Sequence, residues 1–552
     1  MKCFRSRLVV LAAAATAALA TATGAAAALP LPVASEALAA LTAAGLPTEA
    51  AALAGLAPLP AADLPAAGSL ADEVLAVADD LGTGLDPAAV TAAVDDAALA
   101  PEAETALAGL VAQLRVCSGH TQTMLARTPH VDLALGGATP DPTDVMAIRG
   151  CAVSLRSAVE AARPALTTAS GDGPLRLWPV LAFSPGDTDD EYLEDYALSI
   201  DQGGDDFYLN NQGSNEIDVK RSLTNPAARY HEPARGCQMT YPDSVSGRIL
   251  EEPGPNGERV PSLDGPECVP VAGLLWDMEG NDTYGRLDPP VFPDTQCSED
   301  SSVTRFTTIG AGVEGVSILL DDAGDDEYLG STGSMGAGHV GGVGVLEDGG
   351  GNDFYFAMRN AMGLGLLGGI GVLKDDTGDD VYDYYMPRPL DPSAPFHADG
   401  SGGTVDDSGF GSELGMSPNE ADGVGGRCDN KPRSLQGVGI FIAPAVGLLV
   451  DREGDDRYRA AGFENQEEGF PTQSGTGLIR FAHGSQGSGF LGGIGAMLDL
   501  SGADEYLREH YEPAADRGNA QFHGPQPDLT FDEEGSPLNG KPLDLSVFID
   551  TE

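Results

Sequence analysis

The feature that most constrains this chain is a phrase that returns. Between Ile318 and Tyr382 the pattern aliphatic-x-Asp-x-x-Gly-[Asp/Asn]-Asp-x-Tyr occurs three times, at Asp321 to Tyr328, Asp348 to Tyr355 and Asp375 to Tyr382, with leading aspartates 27 residues apart. Four further copies stand at Asp201 to Tyr208, Asp277 to Tyr284, Asp451 to Tyr458 and Asp499 to Tyr506, the last with Ala503 in the fifth position. A fixed period of this size is the signature of a stacked architecture in which each repeat buries its apolar face against the next. The spacings between successive leading aspartates are 76, 44, 27, 27, 76 and 48, so 27 residues is the bare repeat and the longer gaps carry loops. These insertions are placed at about Asn210 to Val269, Gly285 to Thr307, Tyr385 to Leu435 and Arg459 to Gly484.

Before several phrases runs a glycine-rich apolar stretch: Gly336 to Leu346, Gly363 to Leu373 and Gly487 to Leu498, with looser versions at Gly310 to Leu320 and Gly437 to Val450. Short apolar runs bounded by turn residues and recurring with the repeat read as strands of a parallel β-solenoid, one coil per repeat, stacked about 4.8 Å apart. The predicted fold is therefore mainly β, a β-helix- or β-roll-like solenoid with loop insertions. Glycines permit tight corners and close backbone approach, while the aliphatic residues point into a narrow core. The closing tyrosines, Tyr208, Tyr284, Tyr328, Tyr355, Tyr382, Tyr458 and Tyr506, should form a ladder along one corner, a packing role. Gly-x-Gly-x-x-Gly occurs at Gly336, Gly363 and Gly487, yet a strand and an Asp-rich turn follow it where a dinucleotide site needs a helix.

The chain ahead of the repeats differs in kind. Residues 1–28 read as a secretory signal, with Lys2, Arg5 and Arg7 before an Ala-rich apolar run and a small-residue cleavage site at Ala26 to Ala28. Residues 29–69 are Ala- and Pro-rich and partly disordered by composition. Residues 70–168 carry Leu70 to Asp80, Pro87 to Ala98, Pro101 to Leu125 and Pro142 to Ala162, segments with three- and four-residue apolar spacing and Asp or Pro at their starts, and form a small α-helical domain. The solenoid is expected over 182–507 and a C-terminal tail over 508–552. Removal of the signal leaves six cysteines, an even count that favours disulfides in an exported chain. Cys117 with Cys151 is the best pair, both lying among the helices. Cys237, Cys268, Cys297 and Cys428 fall in or beside insertions, and no C-x-x-C spacing supports zinc.

Composition narrows the partners. With 84 acidic against 30 basic residues the formal charge is −54, which argues against nucleic acid and anionic membrane surfaces and leaves cations, or high salt, as natural partners. No segment after the signal is long and apolar enough to span a membrane. The acids are concentrated in the phrase. Its first, fifth and sixth positions supply Asp201, Asp205 and Asp206; Asp277, Asn281 and Asp282; Asp321, Asp325 and Asp326; Asp348, Asn352 and Asp353; Asp375, Asp379 and Asp380; Asp451, Asp455 and Asp456; and Asp499 with Asp504. Stacking brings these like charges together, and two carboxylates about 5 Å apart at an effective dielectric near 20 repel by about 3 kcal/mol. A bound cation reverses that sign. Every candidate ligand is oxygen and no His or Cys stands in any phrase, which selects a hard ion, Ca²⁺ ahead of Mg²⁺.

Gly351-Asn352-Asp353-Phe354-Tyr355 and Gly280-Asn281-Asp282-Thr283-Tyr284 resemble the second half of the hemolysin-type (RTX) calcium-binding nonapeptide, G-G-x-G-x-D-x-U-x. The resemblance implies export and calcium-dependent folding into a parallel β-roll outside the cell. It implies that Asp206, Asp282, Asp326, Asp353, Asp380, Asp456 and Asp504 are calcium-binding carboxylates. Here the opening Gly-Gly is mostly Asp-x and one phrase occurs per 27 residues, which points to a wider coil with one ion per turn.

No G-x-S-x-G or H-E-x-x-H motif is present, and His339 and His483 stand alone in or beside strands. The sequence therefore reads as a secreted, non-enzymatic calcium-binding module of structural, surface or adhesive type, meeting cell-surface or matrix glycans or proteins. The alternative is a calcium-dependent, polysaccharide-acting β-helix enzyme with a Lys or Arg base. Lys374, Arg452 and Arg457, the basic residues in or next to phrases, do not share equivalent slots.

Overall fold

The computed structural model describes residues 58–59, 67–128, 140–171, 173–218, 251–253, 259–261, 268–285, 308–330, 333–357, 361–366, 368–384, 439–440, 446–460, 470–471, 478–479, 489–490, 494–508 and 545–550. The signal, nearly all of the Ala/Pro-rich segment, most of the tail and insertions, and Cys237, Cys297 and Cys428 lie outside the described residues.

Among the described residues four helices precede the strands: α1 (Leu70–Asp80), α2 (Pro87–Ala97), α3 (Pro101–Arg127) and α4 (Pro142–Leu166). Their starts follow local chemistry. Ser69, Asp86 and Asp141 each accept a first-turn backbone N–H, and Pro opens α2, α3 and α4, where its missing N–H costs nothing. The expected disulfide joins Cys117 of α3 to Cys151 of α4 across a Cα–Cα distance of 5.4 Å. Among the described residues no helix is long and apolar enough to cross a membrane.

The predicted parallel solenoid follows. Each full coil crosses three sheets. The first sheet stacks, in chain order, Leu181–Ser184, Leu198–Asp201, Gly273–Asp277, Val316–Asp321, Val343–Glu347, Ile370–Lys374, Val446–Asp451, Ile494–Asp499 and Leu545–Asp550, all parallel, with Leu175–Leu177 antiparallel on the outer edge. The second sheet runs from Glu191–Tyr192 through the strands that hold the tyrosines to Glu505–Arg508. The third consists of two-residue strands such as Gly312–Val313, Gly338–His339 and Gly365–Leu366. Leu545–Asp550 lies in the segment read as a tail and pairs Asp550 with Asp499, extending the first sheet.

Strand alternation divides the first sheet between two cores. Leu275, Leu319, Leu346, Leu373, Leu449 and Met497 face into the solenoid and pack on the tyrosine column. Leu274, Trp276, Ile318, Leu320, Val345 and Val372 face outward and share a core with Leu107, Leu110, Val111, Ile148, Leu155 and Val159 of α3 and α4. The helical layer is thus a lid over one face of the solenoid. Polar ties fix its position: Arg156 forks onto the buried Glu347 at 3.0 to 3.2 Å, Arg163 pairs with Asp322 and covers the Trp276 ring at 4.7 Å, and Arg149 donates to the Gly368 carbonyl at 2.9 Å.

Candidate metal centre

The Asp phrase is the corner between the first and second sheets. The leading Asp ends or follows a first-sheet strand, and the sixth-position Asp precedes a second-sheet strand. The turns nest so closely that the glycine is obligatory. A Cβ at Gly324 would lie 1.6 Å from the Gly280 carbonyl oxygen, one at Gly351 1.3 Å from that of Gly324, and one at Gly378 1.7 Å from that of Gly351.

Nesting orients each carboxylate by one oxygen. The backbone N–H of one sixth-position Asp donates to Oδ1 of the next: Asp206 to Asp282 at 2.6 Å, Asp282 to Asp326 at 2.5 Å, Asp326 to Asp353, Asp353 to Asp380 and Asp380 to Asp456 at 2.7 Å, and Asp456 to Asp504 at 2.9 Å. The tyrosine hydroxyl of one coil donates to Oδ2 of the next leading Asp: Tyr208 to Asp277 at 2.5 Å, Tyr284 to Asp321 at 2.6 Å, Tyr328 to Asp348 at 2.5 Å, Tyr355 to Asp375 at 2.6 Å and Tyr382 to Asp451 at 2.8 Å. The rings form the predicted ladder, from Tyr192 to Tyr458, with centroids 4.6 to 4.9 Å apart. It packs the core and aims the carboxylates.

The other oxygens converge without protein partners. Oδ1 of Asp277, Asp375 and Asp451 and Oδ2 of Asp282, Asp326, Asp353, Asp380 and Asp456 are buried and accept no hydrogen bond. They belong to a series of clusters that includes Asp206, Asp277 and Asp282; Asp282, Asp321 and Asp326; Asp326, Asp348 and Asp353; Asp353, Asp375 and Asp380; and Asp380, Asp451 and Asp456. In each cluster one oxygen per residue lies within 4.8 Å of the others. Neighbouring clusters share a sixth-position Asp, so the clusters form a continuous file. The ion pairs along this stretch go to acids outside the clusters: Arg163 to Asp322 and Arg156 to Glu347. Lys374 and Arg452 likewise bind Asp376, away from the clusters. Such a set of buried, hydrogen-bond-oriented carboxylates can hold metal ions.

Of the predicted ligands, the leading positions from Asp277 to Asp451 and the sixth positions from Asp206 to Asp456 meet in this file, while Asp201 accepts from the Tyr192 hydroxyl and the Gly203 N–H. Asp499 is also buried, with Asp504 beside it at the file's far end. The fifth position goes elsewhere. Asp205, Asn281, Asp325, Asn352, Asp379 and Asp455 are exposed, and their side-chain oxygens accept the backbone N–H of the next fifth residue, as in Asp325 to Asn352 at 2.8 Å. They form a second ladder on the rim that locks neighbouring turns.

Charge without a counter-ion is costly at these depths. Burial, reinforced by the neighbouring Asp348, pushes Asp353 up to about 10. Burial pushes Asp282 up to about 7, and Asp326 and Asp380 up to about 8. The ladder phenols are pushed well above their ordinary range and remain donors. His339, buried in the third sheet and pulled down to about 4 by burial, is a neutral core residue.

One coil escapes the sequence pattern. Tyr192 stacks on Tyr208 at 4.6 Å, and the backbone N–H of Asp190 donates to Asp206 Oδ1 at 2.6 Å, so a further coil precedes Asp201. Ser184 stands where the leading Asp belongs, in register with Asp201, and its turn has one extra residue. The surviving signal was Asp189-Asp190-Glu191-Tyr192, the last half of the phrase.

No family model, curated protein or solved structure matches this chain. The functional argument therefore rests on its own geometry.

Proposed function

We propose that the chain is an exported calcium-binding β-solenoid that acts as an extracellular structural, surface or adhesive module. The observation that carries this reading is the file of buried carboxylate oxygens with no protein partner. A buried acceptor without a donor costs about 1–3 kcal/mol, more when charged, and the same cost recurs coil after coil. The charge count names the valence. Each coil adds one leading and one sixth-position Asp, two negative charges, and one divalent ion between successive coils neutralises them. All-oxygen ligands select a hard cation, and a many-carboxylate site favours Ca²⁺ over Mg²⁺, which keeps several of its waters. Asp277, Asp321, Asp348, Asp375 and Asp451, with the flanking sixth-position acids, would hold the ions. The Cys117–Cys151 disulfide supports an oxidising compartment.

The test is calorimetry and circular dichroism of the full chain in chelator, then with Ca²⁺ and with Mg²⁺. The full chain is required because α3 and α4 cover the first sheet. Ca²⁺ should raise the melting temperature more than Mg²⁺ does. An unchanged melting temperature in all three conditions, with greater stability in acid, would mean that shared protons neutralise the file, and the metal reading would fall.

A further inference from the structure

At the Asp190 end the file stops at a side chain that carries its own charge. Arg176, on the antiparallel edge strand Leu175–Leu177, is placed by its register opposite Ala182, whose side chain belongs to the interior core. Its guanidinium lies 4.7 Å from the Tyr192 ring centroid, within the 4.6 to 4.9 Å spacing of the tyrosine ladder. It therefore takes the rung that a further tyrosine would occupy. Nη2 of Arg176 binds Asp190 Oδ1 at 2.8 Å, Nη1 donates to the Glu191 carbonyl at 3.2 Å, and Ser184 Oγ donates to Asp190 Oδ2 at 2.5 Å. Both oxygens of Asp190 are thus satisfied, unlike those of the equivalent acids from Asp282 onward.

The charges match as well. With Ser184 in place of the leading Asp, this coil contributes one acid, and Arg176 supplies one positive charge. Later coils contribute two acids to the file, and Lys374 and Arg452 spend their charge on Asp376 outside it. A monovalent side chain balances the short coil as one divalent ion would balance each full coil.

We infer that Arg176 is the built-in cation of the first coil, taking the metal's place at Asp190 so that ion loading begins with the Asp206, Asp277 and Asp282 cluster. This rests on the metal reading above. Arg176 caps both the tyrosine stack, by a cation–π contact, and the carboxylate file, by an ion pair.

The experiment counts ions bound per full-length chain, by equilibrium dialysis against Ca²⁺ with elemental analysis, for the wild type and four variants. Arg176→Gln removes the charge paired with Asp190, whose backbone N–H reaches Asp206, and should bind one ion more than the wild type. Arg176→Lys should bind the wild-type number. Asp190→Asn should leave the count unchanged, whereas Asp282→Asn should lower it. A wild type that binds ions while Arg176→Gln binds no more overturns the inference and leaves the metal reading standing. If Arg176→Gln does not fold, Asp190→Asn decides, since a lower count there would place a metal where the inference places the arginine. A wild type that binds no ion overturns both.

Discussion

At the residue scale, a carboxylate's two oxygens do different work. In Asp348 one accepts from Tyr328 and the other from the Gly350 N–H, while in Asp375 the second is left for a ligand. Tyr328 is the useful probe, because Tyr328→Phe keeps the ring stack and removes only the donor. It should destabilise the ion-free protein by about 1–3 kcal/mol, the cost of a buried acceptor that loses its partner. With Ca²⁺ bound the loss should shrink, because the freed oxygen lies beside the ion cluster. Denaturant titrations of both proteins, in chelator and in Ca²⁺, give the comparison, and equal losses in the two conditions would argue against a cation at this corner. The sequence made the acid positions legible but not their division. First, fifth and sixth positions look alike in a string, and only the nesting of the turns sends the fifth outward. Asp190 and Tyr192 were hidden by Ser184 and one extra turn residue, although Asp-Asp-x-Tyr survived.

At the scale of elements, the joint between helices and solenoid is held by a buried ion pair within an apolar seam. Arg156 and Glu347 are both nearly inaccessible, and the charge of Glu347 holds the guanidinium firmly protonated against the opposing effect of burial. Removing one partner strands the other, so Arg156→Met should cost about 3–5 kcal/mol, while adding Glu347→Leu should recover much of it. Melting curves of the single and double variants measure this, and a double variant no better than the single would show that the loss comes from packing. That the helices lie on the first sheet was the largest fact missing from the sequence reading, and it was legible in principle. Ile318, Leu319 and Leu320 are apolar in succession, the pattern of a strand buried on both faces, where a one-sided sheet alternates. The insertion after Asp201 also begins later than its composition implied, because Asn215 stands in for a strand: its amide exchanges hydrogen bonds of 2.7 and 2.8 Å with Val313.

At the scale of the whole molecule, the file couples folding to pH. Burial raises Asp348 and Asp451 to about 6, Asp326 and Asp380 to about 8, and Asp353 and Asp456 to about 10. The folded state thus holds protons that an unfolded chain releases near about pH 4. Their contribution to stability is complete below that pH and is lost as pH rises through the folded values. The ion-free melting temperature should therefore fall between pH 5 and about pH 9, and saturating Ca²⁺ should flatten or reverse the fall. A melting temperature that climbs with pH in chelator would contradict the buried, counter-ion-free arrangement.

Asp353 reaches Asp380 across 27 residues and Asp380 reaches Asp456 across 76, yet both N–H to carboxylate bonds measure 2.7 Å. The ladder keeps its pitch however far the chain wanders between rungs. Lengthening a closed loop from 27 to 76 residues costs only about 1 kcal/mol in chain entropy, which one extra coil's packing readily offsets. The excursions are therefore free to change in length and content while the scaffold that carries them stays constant. In such a molecule a connection can be rewritten in sequence without disturbing the register by which the chain assembles.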